Sequence, residues 1–558
     1  MSVNQTATVN FSPGEAAAVR SLRGRWKWGA GILFVACVAQ SLLWTIWWDN
    51  PTHFAMSVLF VWPAALFALT IWWLFFSGWS LIARLGSVAT IVVGFAIFLY
   101  LYRLEWDGGM VPRRVVLRSI PSAEQVARNF LKQQSSATSE SQKIVPGQQT
   151  RDAELVLSEG DWPGFRGTER NSIVQHASLR RDWEKAPPKE LWRHPIGRGW
   201  SSFAVVGNYA FTQEQRDEYE CVVAYDIHTG NQIWVHQDKA LLAIVDANGG
   251  NGPHATPQFD EGLIYAQGGT GLLNCLDAST GNIIWSTNIL GNLVGGTTPH
   301  KPPEWGISAS PLIVDNLVIA VPGGTPHEKD AAFNKGVAAY DKKSGQLVWA
   351  QGIHPTSYGS PSLETLNGVR QLMIPNGEGL SGHAVETGEE LWFFPLSNSP
   401  QVNSTSPWKL ADDSLIFGTG YGVGSVRLDI QHSSNIWTAT KRWLSTRFRP
   451  KFNDFVVRDG YVYGLDDGRL ACLDVKNGSI KWLSGRYGYG QLLLVDDVLL
   501  IISEDGDLVL VSAQPQKSEP LATFKVFDSG FCWNYPVLVR GTLLLRNANE
   551  AACFDVSE

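Results

Sequence analysis

Apolar and polar positions follow two different regimes along the chain. In the first hundred residues they are segregated into three long apolar runs, at about residues 28–48, 54–77 and 85–103. The first two contain no Asp, Glu, Lys or Arg, and the third is bracketed by Arg84 and Arg103. At about 1.5 Å rise per residue, each run is long enough to cross a hydrocarbon layer of about 30 Å as a helix. Pro63 falls inside the second run, which a membrane helix tolerates. Trp47, Trp48, Trp72, Trp73, Tyr100 and Tyr102 crowd the ends, as aromatic rings do at a lipid–water boundary. The first run lacks a small-residue cleavage site and two more runs follow, so a cleaved signal peptide fits poorly. The pattern predicts three transmembrane helices within residues 28–104, after a cytoplasmic tail at 1–27.

From about residue 159 the pattern changes to short apolar runs separated by Gly-containing turns. The stretch between, 105–158, reads as a linker: 122–133 has the pattern of a short amphipathic helix, and 134–149 is rich in Ser and Gln and reads as flexible.

One unit recurs in the second regime: an apolar strand, Asp, two residues, Thr/Ser/Asn-Gly, three residues, Trp. It appears as Asp226-Ile-His-Thr-Gly230 with Trp234, Asp277-Ala-Ser-Thr-Gly281 with Trp285, Asp341-Lys-Lys-Ser-Gly345 with Trp349, and Asp474-Val-Lys-Asn-Gly478 with Trp482. Glu386-Thr-Gly388 with Trp392 is one residue shorter, Asp429 with Trp437 lacks the Gly, and the copy near Ala513 has Phe524 in place of Trp. The chemistry of each copy is that of a hairpin. The Asp carboxylate accepts turn N–H groups, Gly supplies positive φ, and Trp fills space between packed sheets. A further hairpin precedes each Asp, giving about four strands per unit.

From Trp192 to Phe524 the successive marker residues lie 42, 51, 64, 43, 45, 45 and 42 residues apart. Four strands every 40–50 residues is the signature of a propeller blade; the long interval holds an insertion at 323–335. Ala552-Cys-Phe-Asp555 is the first half of the unit and Glu190-Leu-Trp192 the second half. Joined, they make one blade from both ends of the propeller and leave no open strand edge. The expected fold class is therefore all-β, an eight-bladed β-propeller over 159–558, preceded by three transmembrane α-helices.

Composition and charge sharpen this picture in three places. The 54 Gly and 24 Trp suit repeated hairpins, and a net charge of −7 offers no basic face for nucleic acid. The six cysteines form no CxxC pair; Cys275, Cys472 and Cys553 each stand two residues before a repeat Asp, a small buried position rather than a disulfide framework. Arg20, Arg23, Arg25 and Lys27 precede the first span and place the N-terminus inside. Three crossings then put the propeller on the periplasmic side of the cytoplasmic membrane, although Arg103, Arg113, Arg114 and Arg118 after the third span run against that rule.

The repeats at Asp226–Trp234 and Asp277–Trp285, together with Asp161-Trp-Pro-Gly-Phe-Arg-Gly167, resemble the quinoprotein-like propeller family of bacterial proteins, named for pyrroloquinoline-quinone (PQQ) enzyme repeats. The resemblance covers about residues 160–558. It implies one of two activities. Quinoprotein dehydrogenases oxidise alcohols or sugars with PQQ and a metal ion, usually Ca²⁺; outer-membrane-assembly propellers bind other proteins and hold no cofactor. Many alcohol-oxidising members have an adjacent Cys pair beside the cofactor, and none exists here.

Residues that open each innermost strand line one face of a propeller's central funnel. By alignment of the blades these are Trp200, Ser201, Ser202, Asn251, His254, Thr256, Trp305, Ser308, Ser310, Tyr358, Ser360, Asn403, Ser404, Asn453, Asp454, Trp533 and Asn534. A PQQ site needs an aromatic platform, for which Trp305 or Trp533 are candidates, and cations for carboxylates, for which Arg447, Arg449 and Lys451 are candidates. Asn534 joins the cofactor-binding candidates. Asp454 and His254 are candidate catalytic groups, and no metal-ligand cluster stands out. The favoured expectation is a membrane-tethered binding or scaffold module with a protein or polymer partner. The alternative is a PQQ-dependent dehydrogenase with PQQ and Ca²⁺ that passes electrons to the membrane. A Glu/Asn/Asp cluster at the funnel mouth favours the enzyme, and a mouth filled by Trp and Tyr favours the scaffold.

Overall fold

The computed structural model describes residues 13–47, 51–106, 112–141, 155–244, 249–291, 302–322, 335–528 and 530–558. Most of the predicted insertion at 323–335, the first twelve residues of the tail, and 142–149 of the Ser/Gln-rich stretch lie outside these. The chain divides into two compact units, one of residues 1–122 with 245–249 and one of residues 123–244 with 250–558.

The first unit has helices α1 (Pro13–Trp47), α2 (Pro51–Phe76) and α3 (Leu81–Leu101), then a hairpin of strands Tyr102–Trp106 and Pro112–Leu117. Ser80 caps α3, its hydroxyl accepting the Ala83 N–H at 3.3 Å. Three helices thus form where three apolar runs stand, but the expected count of three membrane spans is not supported. Two stretches, Lys27–Thr45 and Leu81–Leu101, are long and apolar enough to cross; the described apolar part of α2, Phe60–Phe76, has 17 residues. At 1.5 Å per residue it measures about 26 Å, short of a hydrocarbon core of about 30 Å.

The second unit opens with α4 (Ala123–Ser141), where the sequence reads as linker. The amphipathic segment continues as helix into the stretch read as flexible. Ala127 and Leu131 are buried, and Phe130 stacks on His194 at 5.3 Å, which in turn stacks on Trp192 at 4.8 Å. α4 is held by this apolar face against the propeller, and an ion pair between Arg128 and Asp217 fixes its outer side.

Eight antiparallel sheets follow, each with at least four strands. Blades 1 to 7 occupy residues 204–239, 258–288, 312–351, 362–395, 408–445, 455–484 and 491–525. Blade 8 joins Val537–Val539, Thr542–Arg546 and Glu550–Asp555 to Lys189–Pro195, with Cys553 opposite Trp192. The eight-bladed reading and the split closing blade are both present as the repeat pattern predicts. All six cysteines are unpaired with one another, and Cys275, Cys472 and Cys553 are fully buried.

The repeat explains how blades join. Asp226 Oδ1 accepts the N–H groups of His228 and Thr229 at 3.1 and 2.8 Å, which closes the turn. In six of the eight blades an indole N–H donates to a backbone carbonyl at the turn of the next blade, while Trp392 of blade 4 donates to Gln371 Oε1 in its own blade. Trp192, Trp234, Trp285, Trp349, Trp443 and Trp482 reach Ile227, Ala278, Lys342, Val385, Val475 and Gln514 at 2.8–3.2 Å. All of these rings except Trp482 also lie against the next turn's Gly. A Cβ on Gly281, at φ +71°, would sit 2.5 Å from Trp234, so both the backbone angle and the ring exclude a side chain.

One marker needs correction. In blade 5 the docking residue is Trp443, against Gly478, and not Trp437. That blade's outer hairpin is long, Gly424–Ser433 with Ile436–Ser445, and Trp437 near its tip stacks on His432 at 4.1 Å instead.

Candidate site at the funnel mouth

The segment that precedes the first blade, Asp161-Trp-Pro-Gly-Phe-Arg-Gly167, threads the inside of the ring. Trp162 bridges to Val205 of blade 1, and Pro163 O accepts the N–H of Phe259 in blade 2 at 2.7 Å. Arg170 donates to the carbonyls of Ser310 and Pro311 at the start of blade 3. Arg166 donates to Phe455 O of blade 6 at 3.1 Å, and Ile173–Val174 adds a parallel strand inside blade 7. Residues 161–174 thus contact six of the eight blades once the edge-on contact of Phe165 with Tyr535 beside blade 8 is included. Burial, with Arg166 alongside, pushes the Arg170 guanidinium down to about 9.

Around the ring, the residues that open the inner strands form a belt of hydrogen bonds. The N–H of Ser202 donates to Thr256 Oγ1, that of Thr256 to Ser310 Oγ, and that of Ser310 to Ser360 Oγ, at 2.9–3.1 Å. Asp454 takes the hydroxyl's place in blade 6, accepting the Ser406 N–H at 2.5 Å. Its other oxygen accepts from Tyr535 OH at 2.7 Å and pairs with Arg166 at 3.4 Å, with both charged side chains 2% exposed. The candidate base is thus committed on both oxygens to holding blades and lead-in segment together.

Above the belt the mouth is aromatic. Trp200 and Trp533 pack with centroids 4.8 Å apart, and Trp533 continues onto Phe452 at 5.5 Å and Phe531 at 5.8 Å. Phe452 meets Tyr489 edge-on at 5.4 Å and Tyr421 at 6.4 Å. Lys451 sits among these rings, its Nζ 4.5–5.1 Å from the centroids of Tyr489, Tyr421 and Phe452. Nζ donates to Tyr489 OH at 3.2 Å, and that hydroxyl donates to Asp467 at 3.1 Å. Burial lowers the Lys451 ammonium from its usual range, with Asp467 and Glu504 opposing. Trp533 Nε1 is fixed by Glu504 at 2.8 Å.

The remaining sequence candidates are dispersed. Trp305 packs edge-on to Tyr358 at 5.7 Å, a pair separate from the Trp200–Trp533 ladder. Arg447 is exposed, and Arg449 is bound to Asp466 through its N–H and Nε at 2.9 Å. Asn534 donates to Ser201 O at 2.8 Å and to Gly199 O at 3.4 Å. Burial alone pushes the His254 ring down to about 4, and its Nε2 has no hydrogen-bond partner among the described residues. The structure therefore brings together Trp533 and Lys451, and leaves Trp305, Arg447, Arg449, His254 and Asp454 elsewhere. Phe452, Tyr489, Tyr421 and Phe531 belong to the mouth and were not among the sequence candidates.

These residues do not fit PQQ with Ca²⁺. Of the three cation candidates, one is exposed, one is paired, and one is caged. Asp454 has no oxygen left for a metal, and no group of three or more His, Cys, Asp or Glu side chains able to hold one is present among the described residues.

A profile described as "Outer membrane protein assembly factor BamB" matches residues 218–484, the span of the clearest blade repeats. The chain is an eight-bladed β-propeller, and the match falls within its blades 1 to 6. Its similarity to known PQQ-repeat proteins runs in both expected directions. The outer membrane protein assembly factor BamB of Yersinia pestis is 20% identical over 402 residues, 67% of this chain and 90% of that protein. The dehydrogenase subunit of a quinone alcohol dehydrogenase from Komagataeibacter europaeus is 22% identical over 286 residues, 48% of this chain; the match spans 34% of that subunit. Among solved structures, the quinohemoprotein alcohol dehydrogenase of Comamonas testosteroni superimposes with a TM-score of 0.51 at 13% identity, over 76% of this chain and 84% of that chain. At that identity the likeness is one of fold.

Proposed function

We propose that this protein is a membrane-tethered propeller that works as a binding or scaffold module for a protein partner. The observation that carries the reading is the mouth. Its polar groups are spent on the ring itself, while Trp200, Trp533, Phe452, Tyr489 and Tyr421 offer an aromatic surface with one caged cation. Aromatic clusters of this kind anchor protein partners rather than activate substrates. The likeness to an assembly factor of Yersinia pestis supports a protein partner. The test is photo-crosslinking in intact membranes from a benzophenone residue at Tyr421, which is 38% exposed. A discrete protein adduct that disappears with Trp533→Ala supports the reading; absence of any adduct overturns it.

A second reading, a dehydrogenase that passes electrons to the membrane, draws on the similarity to the quinone alcohol dehydrogenase subunit. It requires PQQ and Ca²⁺ to bind a mouth whose groups do not fit them. Full-length protein in detergent, titrated with PQQ and Ca²⁺, should show no thermal stabilisation. Micromolar binding with stabilisation would replace the scaffold reading with this one.

For placement, we take α1 and α3 as membrane-crossing and the propeller as displayed on the periplasmic side, which needs an odd number of crossings and therefore a crossing by α2. An alkaline phosphatase fusion after residue 122 is active if this holds and inactive if α2 stays in one leaflet.

A further inference from the structure

We propose that the hairpin after α3 lies on an anionic phospholipid surface, apolar face down and arginines toward the phosphates. The proposal rests on the reading that α3 crosses the membrane.

The register supplies the two faces. Tyr102 stands opposite Leu117, Leu104 opposite Val115, and Arg103 opposite Val116, with Glu105 opposite Arg114. Side chains alternate along a strand, so Tyr102, Leu104, Trp106, Val115 and Leu117 share one face without a charge. Arg103, Glu105 and Arg114 share the other. The apolar face is open: Leu104 is 37% exposed, Val115 55% and Leu117 41%. A two-stranded ribbon is at best marginal in water and needs a surface to pack on.

The start of the ribbon is fixed at the end of α3. The Tyr102 N–H caps the helix by donating to Phe98 O. The Arg118 N–H donates to Leu101 O at 2.8 Å, and Arg118 Nε donates to Leu99 O and Tyr102 O at 3.0 and 3.1 Å. The first strand therefore begins, and the second ends, where the apolar helix stops, which is the depth of the lipid headgroups. That continuity selects the lipid surface as the occupant.

Charge selects the kind of lipid. Residues 102–118 carry Arg103, Arg113, Arg114 and Arg118 against Glu105 and Asp107. Arg103 is partly neutralised by Glu105 at 3.3 Å and donates to Ile120 O at 2.6 Å, which orders its guanidinium on the polar face. Guanidinium groups suit phosphate oxygens in geometry and charge. These arginines, out of place as a topology signal, thus have a role as headgroup ligands.

The test uses the full chain in nanodiscs of phosphatidylcholine alone or with one third phosphatidylglycerol, read by amide hydrogen exchange. The α3 amides should be protected in both discs. Amides of residues 102–106 and 113–117 should exchange more slowly with phosphatidylglycerol, by about five-fold per engaged arginine. Arg103→Gln with Arg114→Gln should abolish that lipid dependence, and Leu104→Gln with Val115→Gln should speed exchange in both discs. Hairpin exchange that is the same in both lipids while α3 stays protected overturns the inference. Unprotected α3 amides overturn the spanning reading instead.

Discussion

Replacing Arg166 with Leu probes the claim that the lead-in segment is part of the ring's framework. The substitution leaves Asp454, 2% exposed, without its cation. Tyr535 and the Ser406 N–H still hold the carboxylate, but the Arg166 bonds to Phe455 O and Ser172 Oγ are lost as well. Removing one member of a buried ion pair costs about 3–5 kcal/mol. For a propeller of roughly 400 residues, an unfolding entropy of about 2.1 cal/mol/K per residue gives about 0.8 kcal/mol/K. The melting temperature should therefore fall by about 4–6 °C. Asp454→Asn added to Arg166→Leu removes the stranded charge and should restore part of the loss, a coupling that a double-mutant cycle measures directly. Arg181→Ala, which breaks the exposed pair with Asp497, is the control and should change the melting temperature by about 1 °C or less. Differential scanning calorimetry of the detergent-solubilised chain is the assay. A fall of under about 1 °C for Arg166→Leu, or no coupling with Asp454→Asn, refutes the framework role and returns Asp454 to the pool of chemical groups.

Trp443→Phe loses the indole bond to Val475 O and should destabilise by about 1 kcal/mol in urea titration, whereas Trp437→Phe should be near neutral; the reverse order would restore Trp437 as the docking residue. His254 has a folded pKa of about 4 against an ordinary value near 6.5, so the unfolded chain binds more protons between these values. Its contribution to stability is full above about pH 6.5 and falls as pH drops toward 4, with a slope of at most about 1.4 kcal/mol per pH unit. His254→Gln should flatten the pH dependence of melting between pH 7 and 5, and an unchanged slope shows that the ring is solvated. Trp533→Ala should weaken binding of the crosslinked partner by roughly 30-fold or more in a pull-down titration, as expected of a central aromatic anchor worth about 2 kcal/mol; a loss under three-fold moves the partner's anchor elsewhere.

The architecture was readable because the repeat encodes an inter-blade contact. Asp, Gly and Trp recur since a Trp meets the next turn's Gly at five of the eight blade junctions, and the split motif at residues 190–192 and 552–555 announces ring closure. The same logic explains the error in blade 5. Trp437 stands at the expected distance from Asp429, but docking is defined by reach to Gly478, and a long hairpin moves that reach to Trp443. The second membrane span rests on a run without charges, whose described apolar part, at 17 residues, is too short to support the count of three by itself. In the site, alignment of inner strands located Trp200 and Trp533, which fall at repeat positions. Phe452 also lies just before an inner strand, beside the candidates Lys451 and Asn453, and its aromatic character was the available signal. Tyr489 and Tyr421 lie in connections whose path no repeat dictates. Arg166 was invisible for a different reason: its partner Phe455 is 289 residues away, and nothing local marks a buried arginine. The Asp-Trp-Pro-Gly-Phe-Arg-Gly segment, falling outside every blade, was the signal that it had a task of its own.

The closing blade has a consequence in time. Among the described residues, strand Lys189–Pro195 finds its only sheet partner in Glu550–Asp555, so some 350 residues must leave the ribosome before that pair can form. At about 5–20 residues per second this is a wait of roughly 20–70 s. Throughout it the nascent ring is an open arc with a naked strand at each end, each a template for pairing with another arc. Helices inserted early would hold such arcs apart in the plane of the membrane while synthesis continues. On the proposed placement, anchoring would then serve folding before it served any partner.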